Sequence, residues 1–325
     1  MPERATTWRV QTLTAPLAQA WRVSRPWWAV LGIAATGAMA WFGAPPLMSY
    51  VPHWPERLPV PMQAWLAQHQ PEPDWAALPL GPVLRDAQRN GELVVAVRAY
   101  ARPAPPGAPA PMEPDHFDAE FAATLAQRLQ LKLRLVNLLA DGRLPQDAHV
   151  DVIVAGSQPA PAAWQPVPTA YTGGQGALVV LRKAPYRSVA DLRARTVCVA
   201  RGSPYASGLA ARYGAIPQQY PSAIRAIWGF LSGECQALAD DAQALARLMQ
   251  VPEWRFYRTL EDGIAPDNTA AQIALRTSDA LSADYVDRAV RVWKTGGALA
   301  RARTQRAGDI AFEVSQLQDG LVCHN

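Results

Sequence analysis

Residues 191–248 open as DLRARTVCVARGSPYASGLA (Asp191–Ala210) and close as FLSGECQALADDAQALARL (Phe230–Leu248). The first part reads as a short buried strand, TVCVA, followed by a Gly-Ser turn and a helix. The second reads as a helix end, a glycine turn, the apolar strand QALA and a double aspartate. Each strand region carries one cysteine, Cys198 and Cys235. Ser203 is a favoured helix N-cap and Pro204 suits the first helical position. A helix start presents free N–H groups and a positive dipole end to an anion, and Gly202 lets the backbone approach closely. A simple well-capped helix would use the same three residues. Asp240 and Asp241 follow their strand directly: one is expected to cap the next helix, the other to face a cleft.

Open α/β sheets collect ligands at the carboxyl ends of their strands. Here such ends bring a helix start for an anion and a carboxylate for a cation, a combination that suits a small zwitterion. The alternation of strand and helix continues on both sides of this stretch. Upstream lie LGPVLRDAQRNG as a helix stopped by Gly91, GELVVAVRAY as a buried strand, and FDAEFAATLAQRLQ as a helix. The strands LKLRLVNLL, DVIVAG and GALVVLRK follow. Downstream, AQIALR reads as a strand, ADYVDRAVRVWKTG as a helix, and the rest as a polar tail. This order argues an α/β fold with parallel sheets.

At 325 residues the chain has room for two modest domains. The net charge is only +4, and the arginines are scattered rather than clustered, which argues against nucleic acid as a partner. The three cysteines form no C-x-x-C pair and the five histidines are far apart, so neither a metal nor another cofactor is expected. No G-x-S-x-G, H-E-x-x-H, P-loop or dinucleotide glycine fingerprint is present, and no catalytic residue is assigned. The chain is expected not to be an enzyme.

Residues 26–55 contain no charged side chain. Within them WWAVLGIAATGAMAWFGAPPLM (27–48) approaches the ~20 residues that cross a bilayer core, with Trp27, Trp28 and Trp41 at interfacial positions. Arg4, Arg9, Arg22 and Arg25 precede it against the single acid Glu3, so the N-terminal 26 residues are expected in the cytoplasm and the remainder outside. A cleaved signal ending near Ala38-Met39-Ala40 is the alternative and gives a soluble periplasmic protein. Residues 49–81 form a Pro/Trp-rich spacer, and ARPAPPGAPAPMEPD (101–115) an irregular proline-rich loop. Export would permit a bridge between Cys198 and Cys235, worth on the order of 3–4 kcal/mol; two buried thiols are the other reading.

In order and spacing the chain from about Val83 to Gly308 resembles the solute-binding family 3 of bacterial periplasmic receptors, the amino-acid-binding proteins that serve ABC transporters. LRDAQRNGELVVAV, HFDAEFAATLAQRL, VDVIVAG and PTAYTGGQGALVV are similar to successive first-lobe elements. DLRARTVCVARGSPY and GECQALADD are similar to the second lobe, and the cysteine pair to that of the polar-amino-acid branch. The resemblance implies a type II periplasmic-binding-protein fold. Lobe 1 would span 82–183 plus 271–308, lobe 2 would span 184–270, and a C-terminal tail 309–325. Crossing strands at Leu178–Lys183 and Gln272–Arg276 would form the hinge. It further implies a ligand set of Tyr100, Arg102, Gly156, Ser157, Gln158, Gly202, Ser203, Tyr205 and Asp241, with Asp241 on the ammonium. The family's carboxylate-gripping T-P-x-R segment is altered: Ala160 stands at the threonine and Ala163 at the arginine. The expected role is capture of a small polar, amino-acid-like ligand at the periplasmic face of the inner membrane for an ABC permease. The alternatives are a degenerate homologue acting as sensor or envelope-complex module, and a dehydratase-like enzyme.

Overall fold

The computed structural model describes Met62, Trp65 and His69, and residues 72–101, 111–139, 141–157, 161–267 and 272–322, with side chains to 316. The expected span at 27–48 lies outside the described residues, as do Arg102, Gln158, Ala160 and Cys323. Among the described residues no helix is long and apolar enough to cross a membrane.

The first lobe starts with α1 (Pro82–Asn90), which has proline at its first position and the left-handed Gly91 at its end. It buries Val83, Leu84 and Ala87. Strand β1 (Glu92–Val97) follows and is buried beyond its first residue. A short hairpin, β2 (Ala99–Ala101) with β3 (Met112–Pro114), brackets the proline-rich loop. Helix α2 (His116–Leu129) is capped by Asp115 and places Phe117, Phe121 and Leu125 in the core. Then come β4 (Lys132–Asn137), β5 (Val152–Val154) and β6 (Gln165–Pro166).

The second lobe holds β7 (Gly176–Leu181), β8 (Thr196–Ala200), α3 (Ala206–Tyr213), β9 (Ile216–Tyr220), α4 (Ala223–Leu231), β10 (Ala237–Asp241), α5 (Ala242–Leu248) and β11 (Tyr257–Thr259). The chain then returns to the first lobe with β12 (Ile273–Leu275) and α6 (Ala280–Thr295), and ends in α7 (Ala298–Val322).

The strand orders are β4-β1-β5-β12-β6 and β11-β7-β10-β8-β9. Apart from one antiparallel strand donated across the crossover, β12 beside β5 and β7 beside β10, the strands of each sheet lie in the same order: second, first, third and fourth in chain order. This matched exchange is the two-lobed, type II periplasmic-binding-protein architecture. The sheets are therefore mixed, not purely parallel as the strand-helix alternation implied. A short apolar run encodes burial but not direction.

The crossing points also move. Leu178 pairs with Ala239 inside the second sheet, and Gln272 accepts a hydrogen bond from the Ala155 amide of the first. The first crossing is therefore made by residues 172–175, just ahead of β7, rather than by Leu178–Lys183. Helix α6 pins its approach: Trp293 Nε1 donates to the Tyr171 carbonyl at 3.0 Å, and buried Lys294 donates to the carbonyls of Ala170 and Thr172. One side chain, Asp279, caps two helices of this lobe, accepting from Val83 N in α1 and Ser282 N in α6.

Cys198 and Cys235 form a disulfide between the neighbouring strand regions of β8 and β10. The region expected to be a polar tail from 309 is the second half of α7. Its Ala307, Ile310 and Val314 belong to the second lobe's core, whereas Leu299 and Ala302 from the first half belong to the first lobe's core.

Candidate interlobe site

The carboxyl ends of β8 and β10 open onto a cavity of about 300 Å³ between the lobes. Tyr100, Gly202, Ser203, Tyr205 and Asp241 all line it. Gly156 and Ser157 lie beside it rather than in its wall, and Ala163 is exposed.

The β8–α3 turn differs in detail from the sequence expectation. Helix α3 begins at Ala206 with Tyr205 as its N-cap, so Ser203 is outside the helix. Ser203 Oγ instead accepts from the Tyr205 amide at 3.3 Å. Gly202 has φ +71°, and a side chain there would press on Arg98 and the Ala155 carbonyl. The Tyr205 ring packs where a Cβ on Gly176 would stand, and its hydroxyl donates to Gly174 O. Burial pushes the Tyr205 phenol well above its ordinary value, with Asp241 and Asp240 adding to the effect. Burial likewise raises Tyr100.

Asp240 and Asp241 are both nearly buried and both face helix α7. Arg306 grips Asp240 with two parallel bonds, Nη1 to Oδ1 at 2.8 Å and Nη2 to Oδ2 at 3.0 Å. Burial works against the Arg306 charge, but Asp240 holds the guanidinium above its ordinary value. Arg303 Nε donates to Asp241 Oδ2 at 2.7 Å, while Asp241 Oδ1 caps α5 by accepting from Gln243 N. Asp241 thus performs both jobs that were divided between the two aspartates, and Asp240 joins it in the cleft. The Arg303 guanidinium lies on Gly174 of the first crossing, which has φ +93°; a Cβ there would fall 2.1 Å from Arg303 Cζ.

The first lobe contributes a second charged cluster. Asp118, fully buried on α2, accepts from Arg98 Nε and Nη2, each at 2.7 Å, and from the Tyr171 hydroxyl. Burial pushes the Asp118 carboxyl up to about 6, against the downward pull of Arg98. Arg98 Nη1 reaches across the cleft to donate to Arg201 O at 3.1 Å. Beside it the Ser157 amide donates to Gly202 O at 3.0 Å. A Cβ on Gly156 (φ +63°) would fall 2.6 Å from that same carbonyl. The two lobes touch backbone to backbone here. A cation therefore does reach the Gly202–Ser203 turn, from the end of β1 rather than from position 163.

Arg98, Asp118, Arg303 and Arg306 were not singled out from sequence. Arg303 and Arg306 are three residues apart and share a helix face, which is the one local signal they carried. Among the described residues no group of three or more His, Cys, Asp or Glu side chains is arranged to hold a metal ion.

No family model matches the chain, and no curated protein does. Among solved structures it is similar to the Salmonella typhimurium periplasmic binding protein with high arginine specificity, at 19% identity and a TM-score of 0.45 over 66% of this chain and 98% of that one. It is similar to an amino-acid ABC transporter substrate-binding protein from Streptococcus pneumoniae bound to L-arginine, at 17% identity and a TM-score of 0.48, covering 70% and 98%. An ancestral amino-acid-binding protein, a precursor of cyclohexadienyl dehydratase, matches at 18% identity and a TM-score of 0.48, covering 68% and 98%. The architecture itself rests on the strand order and register.

Proposed function

We propose that this chain is a two-lobed, non-catalytic receptor that takes a small polar, amine-bearing ligand between its lobes. The observation that supports this best is the arrangement of opposed charge across the cleft. Asp240 and Asp241 stand at the end of β10, and Arg98 reaches the Gly202–Ser203 turn from the other lobe. Charge-assisted bonds from such groups are the strong, geometrically selective kind. Buried ionised groups of this sort stay only where they are paired. Tyr100 and Tyr205 would supply the apolar wall, and Gly202 the close approach of backbone to ligand. Asp241 would take the amine and Ser203 the opposite end. Arg102 and Gln158 belong to the proposed set as well. The receptor would work at the periplasmic face of the inner membrane, held there by residues 27–48, and would deliver its ligand to an ABC permease.

A second reading is favoured by one specific observation. Asp240 and Asp241, the two carboxylates at the end of β10, are already paired with arginines of the same chain. A sensor or envelope-complex module that does not deliver solute fits that pairing.

Differential scanning fluorimetry of the wild type and of the Arg303→Ala/Arg306→Ala variant against amino acids and diamines tests the receptor reading. A ligand present at a hundred times its Kd stabilises the protein that binds it by about 2.7 kcal/mol, so one or more members are expected to raise the Tm. A flat response of both proteins to the whole panel rules the receptor out.

A further inference from the structure

We infer that α7 is an autoinhibitory strap: it ties the two lobes shut and occupies the acidic half of the cleft with its own arginines. The inference builds on the receptor reading of this cleft and adds a control on access to it.

Lobes joined by two crossing segments open by changing a few backbone torsions at the crossings. A third connection that is a continuous helix does not bend in this way, because each interior residue is held by the i→i−4 ladder. Helix α7 is such a connection. Leu299 and Ala302 are seated in the first lobe's core, and Ala307, Ile310 and Val314 in the second's. The lobes cannot separate while both seats are filled. Opening therefore requires the second half of α7 to leave the second lobe.

The turns between the two seats carry Arg303 and Arg306 onto Asp241 and Asp240. The guanidinium of Arg303 also lies against Gly174 in the first crossing. One helical stretch thus blocks the hinge, fills the carboxylates and bridges the cores. With α7 seated, the lobes meet through the Ser157 amide on Gly202 O and Arg98 on Arg201 O. Apparent affinity for any ligand falls by the fraction of molecules in which the strap is released.

Hydrogen–deuterium exchange of the full chain, without ligand, tests the strap. The Ser157 amide reports the contact between lobes, and the amides of 307–316 report whether α7 is seated. In the Ile310→Asp/Val314→Asp variant both regions are expected to exchange at least tenfold faster than in the wild type. Fast exchange over 307–316 with Ser157 still at its wild-type rate would overturn the inference, because the lobes would then stay closed without α7. Ile310→Ala with Val314→Ala is the gentler pair should the aspartates prevent folding, and the same two outcomes decide it. The readout contains no ligand, so its failure leaves the receptor reading intact. A flat ligand panel, conversely, leaves the strap standing.

Discussion

Asp118→Ala is expected to destabilise the protein by about 3–5 kcal/mol, the usual cost of removing one partner from a buried ion pair. Its carboxylate is fully buried and receives two bonds from Arg98 and one from Tyr171. The cost falls on what remains. Arginine cannot shed its proton, so Arg98 would be left charged, with its nearest other carboxylate, Asp115, at 3.7 Å. The Tyr171 hydroxyl would lose its acceptor, although it still accepts from Gly156 N at 3.0 Å. Both groups stand next to the contact between lobes, so the damage spreads to the cleft. Urea unfolding measures it: the midpoint should fall while the m-value holds. A loss below about 1 kcal/mol, within the range of an exposed pair, would show that the cluster is not the buried pair described.

Replacing both Cys198 and Cys235 by alanine is expected to cost about 4 kcal/mol, from the chain-entropy model for a bridge across a separation of 37 residues. The bridge joins β8 to the entry of β10, the two strands whose ends carry the Gly202 turn and the aspartates. Alanine avoids burying two new hydroxyls. Guanidinium unfolding of the double variant gives the size of the effect, and dithiothreitol on the wild type should reproduce most of it. A wild-type midpoint that ignores reductant would mean the two cysteines are not bridged.

The second lobe was the more legible in sequence. Its strands are short apolar runs bounded by Gly-Ser and Gly-Glu turns. What stayed hidden was of three kinds. Strand direction was one: β7 and β12 look like any buried run, and only the register shows that each runs antiparallel to its neighbours. Helix starts were another. Ser203-Pro204 has the composition of a cap, yet the chain makes one more turn before α3 begins at Ala206. Long-range pairing was the third. Nothing local in RARTQRAGDIAFEV links Arg303 and Arg306 to aspartates more than sixty residues earlier, or tells a tail from a helix seated in two cores. The same holds for Arg98 and Asp118, which read as a strand end and a helix start until the fold brings them together.

That the cleft carboxylates are the ligand-binding groups is tested most directly by isothermal titration of two proteins. One is the Arg303→Ala/Arg306→Ala variant; the other carries Asp241→Asn in addition. The titrant is the panel member that gives the largest thermal shift. The double variant is expected to bind it, and the added Asp241→Asn to weaken binding at least tenfold, about 1.4 kcal/mol. Equal affinity in the two proteins would place the ligand elsewhere and contradict the account.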